Sequence, residues 1–462
     1  MFVGRKEELE KLNSFYMAVN EQVACVYGRV GMGKTTLLQQ FAKDKKTIFF
    51  TAYPTTESHE LALLAKAIGV NKTADRLTLE GLLDEISRIG AKEPVLLIID
   101  HYPNFVKADA TYEKILHTYV TEKWLRLPIK LILCGDSYLA MEKKVYGRKA
   151  IWKDTTSQRI EVSGMGYYDA REFFKDAKPE DAIVLYGMTG GIPAQLKKVK
   201  PTVAESIRAI YLGEENEGNL LPEQVLSMEL RELSYYNRML STLAEGANRV
   251  NQISASVKKP KDIVVPYMNT LMSIGFVKKE NPVTEPTNRK KTRYSIVNTH
   301  DLFWYRYIVP HIDLYYGHAE DELIETYILP ELSGFQQTVM IEMCKEYLQK
   351  NKNGALPFAI NAIGNWWEND EENMTSEGFD LVALGNDDEK SATIFARCYY
   401  TDRPIEIATL KALIELTKKA KHKDGDDVFY LVFSSSGFHE NAMTVAAAIK
   451  NIMLIPIEEV CG

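Results

Sequence analysis

Val23-Ala24-Cys25-Val26-Tyr27-Gly28-Arg29-Val30-Gly31-Met32-Gly33-Lys34-Thr35-Thr36-Leu37-Leu38 decides how the N-terminal half of this chain is read. An apolar run leads into a loop bracketed by Gly28 and Gly33, and Lys34-Thr35 follows at once. This is the pattern of a phosphate-binding P-loop. Glycines let the backbone curl so that its N–H groups cradle a polyphosphate, the lysine reaches the β and γ oxygens, and the Thr35 hydroxyl ligates Mg²⁺. The segment through Phe41 reads as a helix opened by the loop, and its N-terminal N–H groups and dipole favour an anion. The binding set expected here is Gly28, Arg29, Val30, Gly31, Met32, Gly33, Lys34, Thr35 and Thr36, with ATP as ligand and Mg²⁺ as its ion.

Outward from the loop, Thr47-Ile48-Phe49-Phe50-Thr51 reads as a short buried strand, followed by helical stretches around Leu61 to Ile68 and Leu79 to Ile89. Val95-Leu96-Leu97-Ile98-Ile99-Asp100 is a continuous apolar run ending in an acid. A central parallel strand looks like this when its last residue projects into the crevice at the strand ends. Asp100 is therefore the candidate acid for polarising a water on Mg²⁺. Ile129 to Cys134, closed by Gly135-Asp136-Ser137, is the next strand, and a polar residue there can sense a γ-phosphate from the neighbouring strand. Arg159 to Val162 is a fifth. Arg148, in Tyr146-Gly147-Arg148, reads either as a phosphate-facing arginine or as an ordinary surface one. Strands alternating with helices make the class α/β. From Tyr167 the periodicity is helical, broken by a sharp turn at Gly190-Gly191-Ile192-Pro193.

The bulk numbers agree with a soluble globular protein. At 462 residues the chain exceeds one ordinary core, and about three domains are expected. A formal charge of −7 argues against indiscriminate nucleic-acid binding, so any such contact needs a local basic patch. The cysteines, Cys25, Cys134, Cys344, Cys398 and Cys461, lack metal-site or disulfide-frame spacing and read as reduced thiols. No apolar run approaches the ~18 residues of a bilayer span, and Met1 leads into a charged helix without a signal-peptide core. The expected location is the cytoplasm.

Phe2-Val3-Gly4-Arg5, Tyr27-Gly28-Arg29 with the P-loop, the Asp100 strand, Cys134-Gly135-Asp136-Ser137, Tyr146-Gly147-Arg148 and Gly190-Gly191-Ile192-Pro193 occur in that order. Together they resemble the archaeal-type prokaryotic ATPase family, similar to the STAND branch of the AAA+-like P-loop ATPases. The resemblance covers about the first 200 residues and implies a nucleotide-gated switch whose helical lid, holding the Gly-Ile-Pro turn, closes on bound ATP. It adds Gly4 and Arg5, from a segment that lies over the adenine in many P-loop ATPases, and Pro193 to the binding set. The implied catalytic set is Lys34, Asp100, His101 and Arg148, with Thr35 and Asp100 holding the metal. Family members usually carry Glu directly after the Walker B Asp. Here His101 stands there, and an imidazole is placed and charged differently from a carboxylate. Asp136 stands where Ser is more usual.

Leu226 to Leu243 reads as one helix ending at Glu245-Gly246, Ile253 to Val257 as a second, and Asp262 to Ile274 as a third. Gly275 to Lys279 and Thr292 to Ile296 read as two strands around a polar loop, the order of a winged helix-turn-helix. Lys258, Lys259, Lys261, Lys278, Lys279, Arg289, Lys290, Lys291 and Arg293 concentrate there, as phosphate contacts require. The third helix offers few base-reading side chains beyond Lys261 and Asn269, so DNA-backbone contact and protein docking both remain open.

Phe303-Trp304-Tyr305-Arg306-Tyr307 reads as core on a helix, with further helices through Leu348. Asn365-Trp366-Trp367, an acidic loop from Glu368 to Glu377, a hairpin of Phe379 to Leu384 with Ala392 to Cys398, a helix near Leu410 to Lys421 and a strand at Val428 to Phe433 follow. Ile363 to Trp367, Phe379 to Ala383 and Arg397-Cys398-Tyr399-Tyr400 resemble the C-terminal domain that accompanies the same ATPases, which looks like a divergent PD-(D/E)XK, restriction-endonuclease-like fold. In such a nuclease three oxygen ligands and a lysine hold metal and orient water. Asp380 occupies the first acid position, but Arg397 and Tyr399 occupy the acid and lysine positions, and Gln336 stands where relatives tend to have Glu. The resemblance thus implies a nuclease-shaped scaffold without nuclease chemistry.

The expected organisation is a P-loop ATPase core at 1–165, a helical lid at 166–222, a winged helix at 223–300 and the nuclease-like domain at 301–462. The expected function is an ATP-gated switch with slow Mg²⁺-dependent hydrolysis, coupled to DNA or to a protein partner. The rivals are an ATPase-regulated nuclease of a defence system and a module that holds nucleotide without turnover.

Overall fold

The computed structural model describes residues 2–70, 77–213, 220–351, 354, 356, 358–370, 375–386, 391–420 and 427–462. They form two compact units. The first holds the chain up to Met165 together with Ile192–Ala194 and Glu223–Arg231; the second holds Gly166–Gly191, Gln195–Pro222 and Glu232–Gly462.

In the first unit β1 (Val23–Tyr27), β2 (Thr47–Thr51), β3 (Val95–Asp100), β4 (Ile129–Gly135) and β5 (Thr156–Glu161) form one sheet in the order β2-β3-β4-β1-β5. Every pairing is parallel. The continuous apolar runs have a simple cause: alternate side chains feed separate cores. Val23, Cys25, Leu97, Ile99 and Leu133 pack in one, and Ala24, Val26, Leu96, Ile98 and Ile132 in the other. Each buried Leu or Ile contributes roughly 1.5–3 kcal/mol relative to exposure. Because β4 lies between β1 and β3, whatever follows β4 stands between the loop after β1 and the residue after β3.

The helix expected across Leu226 to Leu243 is in fact two, Pro222–Glu229 and Ser234–Ala244. No glycine or proline marks the break. Glu229 is held within the first unit by Ser137 and Tyr138, whereas Met239 and Leu240 are buried in the second. The apolar periodicity runs on across the division.

In the second unit the helix Pro179–Thr189 ends on Gly190, whose N–H reaches the Tyr186 carbonyl at 2.9 Å and whose φ of 58° favours glycine. Asn298 Nδ2 donates to the Gly190 carbonyl at 3.0 Å. The helices Ser234–Ala244, Val250–Val257 and Lys261–Ser273 precede an antiparallel pair, β6 (Val277–Glu280) and β7 (Arg293–Ile296). Leu240, Ile253, Val264, Leu271 and Phe276 bury their apolar faces.

The helix Ser333–Gln349 then leads to a mixed sheet of β8 (Ala359–Asp370), β9 (Thr375–Asn386), β10 (Ser391–Tyr399), β11 (Asp427–Ser434) and β12 (Ile452–Pro456), in the order β12-β11-β10-β9-β8. β8, β9 and β10 pair antiparallel, and β10, β11 and β12 parallel. Strand β8 has no counterpart in the sequence reading. Its register shifts at Ile360/Ala362 and Gly364/Trp366 break the two-residue alternation that marks a strand. The acidic stretch expected as a loop instead contributes Glu368 to β8 and Glu377 to β9, with 371–374 outside the described residues. The helix expected through Lys421 ends at Thr417; Lys421 itself also lies outside them. Among the described residues no helix is long and apolar enough to cross a membrane.

Candidate functional site

The loop after β1 has a shape that only glycine permits. A Cβ on Gly28 would stand 2.3 Å from the Val162 carbonyl oxygen. Gly31 and Gly33 have φ of 84° and 82°, a region that side chains with a Cβ rarely enter. Gly33 caps the helix Lys34–Ala42 without any side-chain hydrogen bond, so the first helical N–H groups depend on another acceptor.

Lys34 is buried and aimed back over the loop. Its Nζ donates to the carbonyls of Gly28 and Arg29 at 2.8 Å each and pairs with Asp136 Oδ1 at 2.5 Å. The Thr35 hydroxyl donates to Asp100 Oδ2 at 2.6 Å, and the His101 N–H donates to Asp100 Oδ1 at 3.0 Å. His101 leaves β3 with φ of 55°, and its Nδ1 meets Asp136 Oδ2 at 2.7 Å. Both oxygens of Asp136 are therefore engaged. Burial alone would raise the Asp136 pKa, but the His101 hydrogen bond and the Lys34 ammonium bring it down to about 2. That same hydrogen bond holds the imidazole above its ordinary value, against the opposing effect of burial.

Further candidates converge on the loop. Arg5 is buried with φ of 62° and donates to the Met32 carbonyl and to Glu8, each at 2.8 Å; Gly4, with φ of 63°, precedes it. Pro193 Cγ lies 3.6 Å from where a Gly33 Cβ would be, and the Ala194 N–H reaches the Gly31 carbonyl at 3.3 Å. Met32 buries its side chain in the core and offers only backbone to the loop. Val30 is half-buried and Thr36 is exposed. Arg148 is exposed, and none of the contacts around Lys34 involves it. Glu229, which the sequence reading did not single out, accepts from Ser137 Oγ at 2.8 Å and the Tyr138 N–H at 2.7 Å, fixing the two residues after Asp136. An acid on an exposed-looking helix carries no sequence signal of such a role.

This donor set fits a magnesium nucleotide. Gly28 leaves no room for a Cβ, the first helical N–H groups have no side-chain cap, a lysine is present, and a hydroxyl and a carboxylate that could share a divalent ion touch.

The basic cluster is different from what its composition leads one to expect. Lys291 and Arg293 were candidates for phosphate contact, yet both are engaged within the second unit. Lys291 Nζ pairs with Glu285 at 2.7 Å and Glu368 at 2.6 Å. Arg293 lies 4.4 Å over the Trp367 ring and donates to Ser376 at 2.8 Å, and burial lowers its pKa to about 10. Charge counted along the chain does not show that β8 brings Glu368 and Trp367 to them. Lys278 likewise pairs with Glu280 and Glu342, and Lys259 sits over the Tyr235 ring. Lys258, Lys261, Arg289 and Lys290 are exposed.

In the middle of β9, Asp380 accepts the Cys398 N–H at 2.8 Å, and Arg397 stands 3.7 Å away. Burial raises the Asp380 pKa, opposed by that N–H and by Arg397. The Arg397 guanidinium is 5.6 Å from the Tyr399 ring. Gln337 clamps the end of β10 through the Cys398 carbonyl at 2.8 Å and the Tyr400 N–H at 2.7 Å. Its neighbour Gln336 donates to the Glu180 carbonyl at 3.4 Å.

Comparison with known proteins agrees with the geometry of the first unit. Residues 2–199 match the family described as "ATPase domain predominantly from Archaea". Residues 304–416 match one described as "Archaea bacterial proteins of unknown function". An uncharacterized protein of Methanocaldococcus jannaschii is 26% identical over 398 residues, 85% of this chain and 86% of its own. Among solved structures, the Walker-type ATPase paby2304 of Pyrococcus abyssi aligns at TM-score 0.53 and 16% identity, over 66% of this chain and 96% of that one. The Aeropyrum pernix ORC2 protein aligns at 0.48 and 15%, over 67% and 93%. Residues 2–199 thus match an archaeal ATPase domain family, and the fold is shared with a Walker-type ATPase.

Proposed function

Starting from that domain, we propose that the protein is a nucleotide-gated switch which binds ATP with Mg²⁺ at the Gly28–Thr36 loop and hydrolyses it slowly. The observation that carries the reading is the convergence of Lys34, Thr35, Asp100 and Asp136 at the ends of β1, β3 and β4. Thr35 and Asp100 would hold Mg²⁺, which would supply positive charge to offset that of the phosphates. Lys34 exchanges its loop carbonyls and Asp136 for phosphate oxygens. Arg5 and Pro193 brace the loop from either side of the chain. Gly4 and Arg5 lie toward the base, and Arg148 reaches the phosphates only if the segment after Tyr146 moves. The helices from Ser234 to Ser273 with the β6-β7 hairpin serve as a winged helix that carries the response to a protein or DNA backbone. The setting is cytoplasmic, where the five buried thiols remain reduced.

Lys34→Ala tests the reading. A ligand that binds only the folded state stabilises by about 2.7 kcal/mol at 100 times its Kd. ATP with Mg²⁺ should raise the melting temperature of the wild type and leave Lys34→Ala unmoved. An equal shift in both proteins would refute the P-loop assignment.

A further inference from the structure

Two polar residues at this site depart from the family resemblance together, and the structure puts them in contact. His101 follows β3 where a carboxylate is usual, and Asp136 follows β4 where a serine is more usual; they meet at 2.7 Å. We propose that Asp136 and His101 work as a pair that places the lytic water: Asp136 holds the imidazole through Nδ1, and the other ring nitrogen takes the water. Asp136 is then a positioning residue and His101 the group that touches the reacting water. This deepens the ATPase reading and rests on it.

The sheet order supplies the reason. A residue just past β4 is flanked by the loop after β1 on one side and by the residue after β3 on the other. Asp136 uses this position with both oxygens, Oδ1 on Lys34 and Oδ2 on His101. When Lys34 turns to a nucleotide, Asp136 keeps His101. The backbone that carries it is pinned, because Glu229 holds Ser137 and Tyr138 immediately beyond. His101 is pinned as well, its own N–H bonded to Asp100. A carboxylate accepting from Nδ1–H leaves Nε2, on the far edge of the ring, with the lone pair. His101 and Asp136 line an open cleft of about 550 Å³ together with Pro103, Asn104, Ser137 and Glu229, so water has access to the ring.

In the step itself, the water oxygen forms a bond to the γ-phosphorus as the bridging bond to ADP breaks. The electron pair of that bond leaves on ADP. The water gives up one proton through Nε2, and the products are ADP, phosphate and a proton. The role of Asp136 is orientation, as for a carboxylate that fixes the ring of a working histidine.

The test is single-turnover hydrolysis of γ-labelled ATP with Mg²⁺ by the full-length protein, with ATP affinity measured on the same samples. The variants are Asp136→Asn, His101→Asn and the double substitution. Asparagine suits position 101 because it tolerates the left-handed backbone found there. At position 136 it keeps one acceptor for Lys34. Each single variant should turn over about 10- to 100-fold more slowly at saturating ATP while its affinity changes by only about threefold. The double variant should be no slower than the slower single one, because groups acting as a unit are not additive. Losses that multiply in the double variant, or Asp136→Asn at the wild-type rate, would overturn the pair. Wild-type protein that binds ATP but never hydrolyses it overturns the pair and the slow hydrolysis, and leaves ATP binding at the loop standing. Wild-type protein with no ATP-induced melting shift overturns the ATPase reading along with the pair.

Discussion

The residue after β4 and the middle of β9 each present an aspartate beside a cation, and the two arrangements differ in every respect that matters for chemistry. Asp136 has Lys34 at 2.5 Å and His101 at 2.7 Å, and these partners hold it ionised at about pKa 2. Asp380 has Arg397 only at 3.7 Å and one backbone N–H, and burial raises its pKa. The first acid belongs to a set of groups beside a loop built for an external anion. The second is a buried acid whose near cation is fixed and positive where a metal-binding site needs another oxygen. A carboxylate beside a cation is thus not in itself a site; what its neighbours leave open decides that. The cations divide the same way: Lys34 is held by two carbonyls of the loop and by Asp136, whereas Lys291 is held between two glutamates.

Two glycine substitutions sharpen the contrast most strongly. A Cβ on Gly28 would stand 2.3 Å from the Val162 carbonyl oxygen, and one on Gly378 would stand 2.4 Å from the Trp366 carbonyl oxygen. The steric insult is nearly equal, so Gly28→Ala and Gly378→Ala should each lower stability by about 1–3 kcal/mol in denaturant titrations. Only Gly28→Ala should also lose the ATP-induced melting shift. Loss of that shift in Gly378→Ala would mean that the mixed sheet takes part in nucleotide binding.

What can be read from the sequence follows the range of the interactions. The P-loop and β3 are legible because glycines at fixed spacing and an apolar run ending in Asp100 are local patterns with a local physical cause. The same holds for the helices Val250–Val257 and Lys261–Ser273 and the β6-β7 hairpin, whereas no local pattern marks the break before Ser234. The pairing of His101 with Asp136 is not legible, although each residue stands out as a departure, because it depends on β4 inserting between β1 and β3. Glu229 is invisible for the same reason. Strand β8 escapes because two register shifts spoil its alternation. Without it, Lys291 and Arg293 look like free cations, when Glu368 and Trp367 of that strand engage them.

The next effect in size tests the locked cations. Lys291→Met removes a nearly buried ammonium from Glu285 and Glu368 and should cost about 1–2 kcal/mol of stability. It should leave any DNA affinity and its salt dependence unchanged. Arg289→Ala with Lys290→Ala, at exposed positions, should do the opposite. Stability should stay within about 0.5 kcal/mol, and the salt slope of DNA binding should fall by roughly 0.9 for each phosphate that the protein no longer neutralises. Wild-type protein without DNA binding at low salt would leave protein docking as the role of this region.

The smallest effect is expected at Asp380, and its sign separates it from Asp136. A carboxyl group whose pKa is lowered on folding stabilises the protein above its unfolded value, near 3.8, and loses that contribution as pH falls toward the folded value of about 2. This is the behaviour of Asp136. A carboxyl group whose pKa is raised favours the folded state most below 3.8, and its contribution is lost as pH rises through the folded value. This is the behaviour of Asp380. Asp380→Asn keeps an acceptor for the Cys398 N–H and removes the charge that burial disfavours. Relative to wild type, its denaturation midpoint should therefore improve as pH rises from about 4 to 7, with only a slight difference at the acid end. Since Arg397 supplies a fixed positive charge beside this acid, neither protein should cut supercoiled or linear DNA with Mg²⁺ or Mn²⁺. Metal-dependent cleavage that disappears in Asp380→Asn would erase the distinction between the two aspartates and turn the mixed sheet into a nuclease under the control of the ATPase domain.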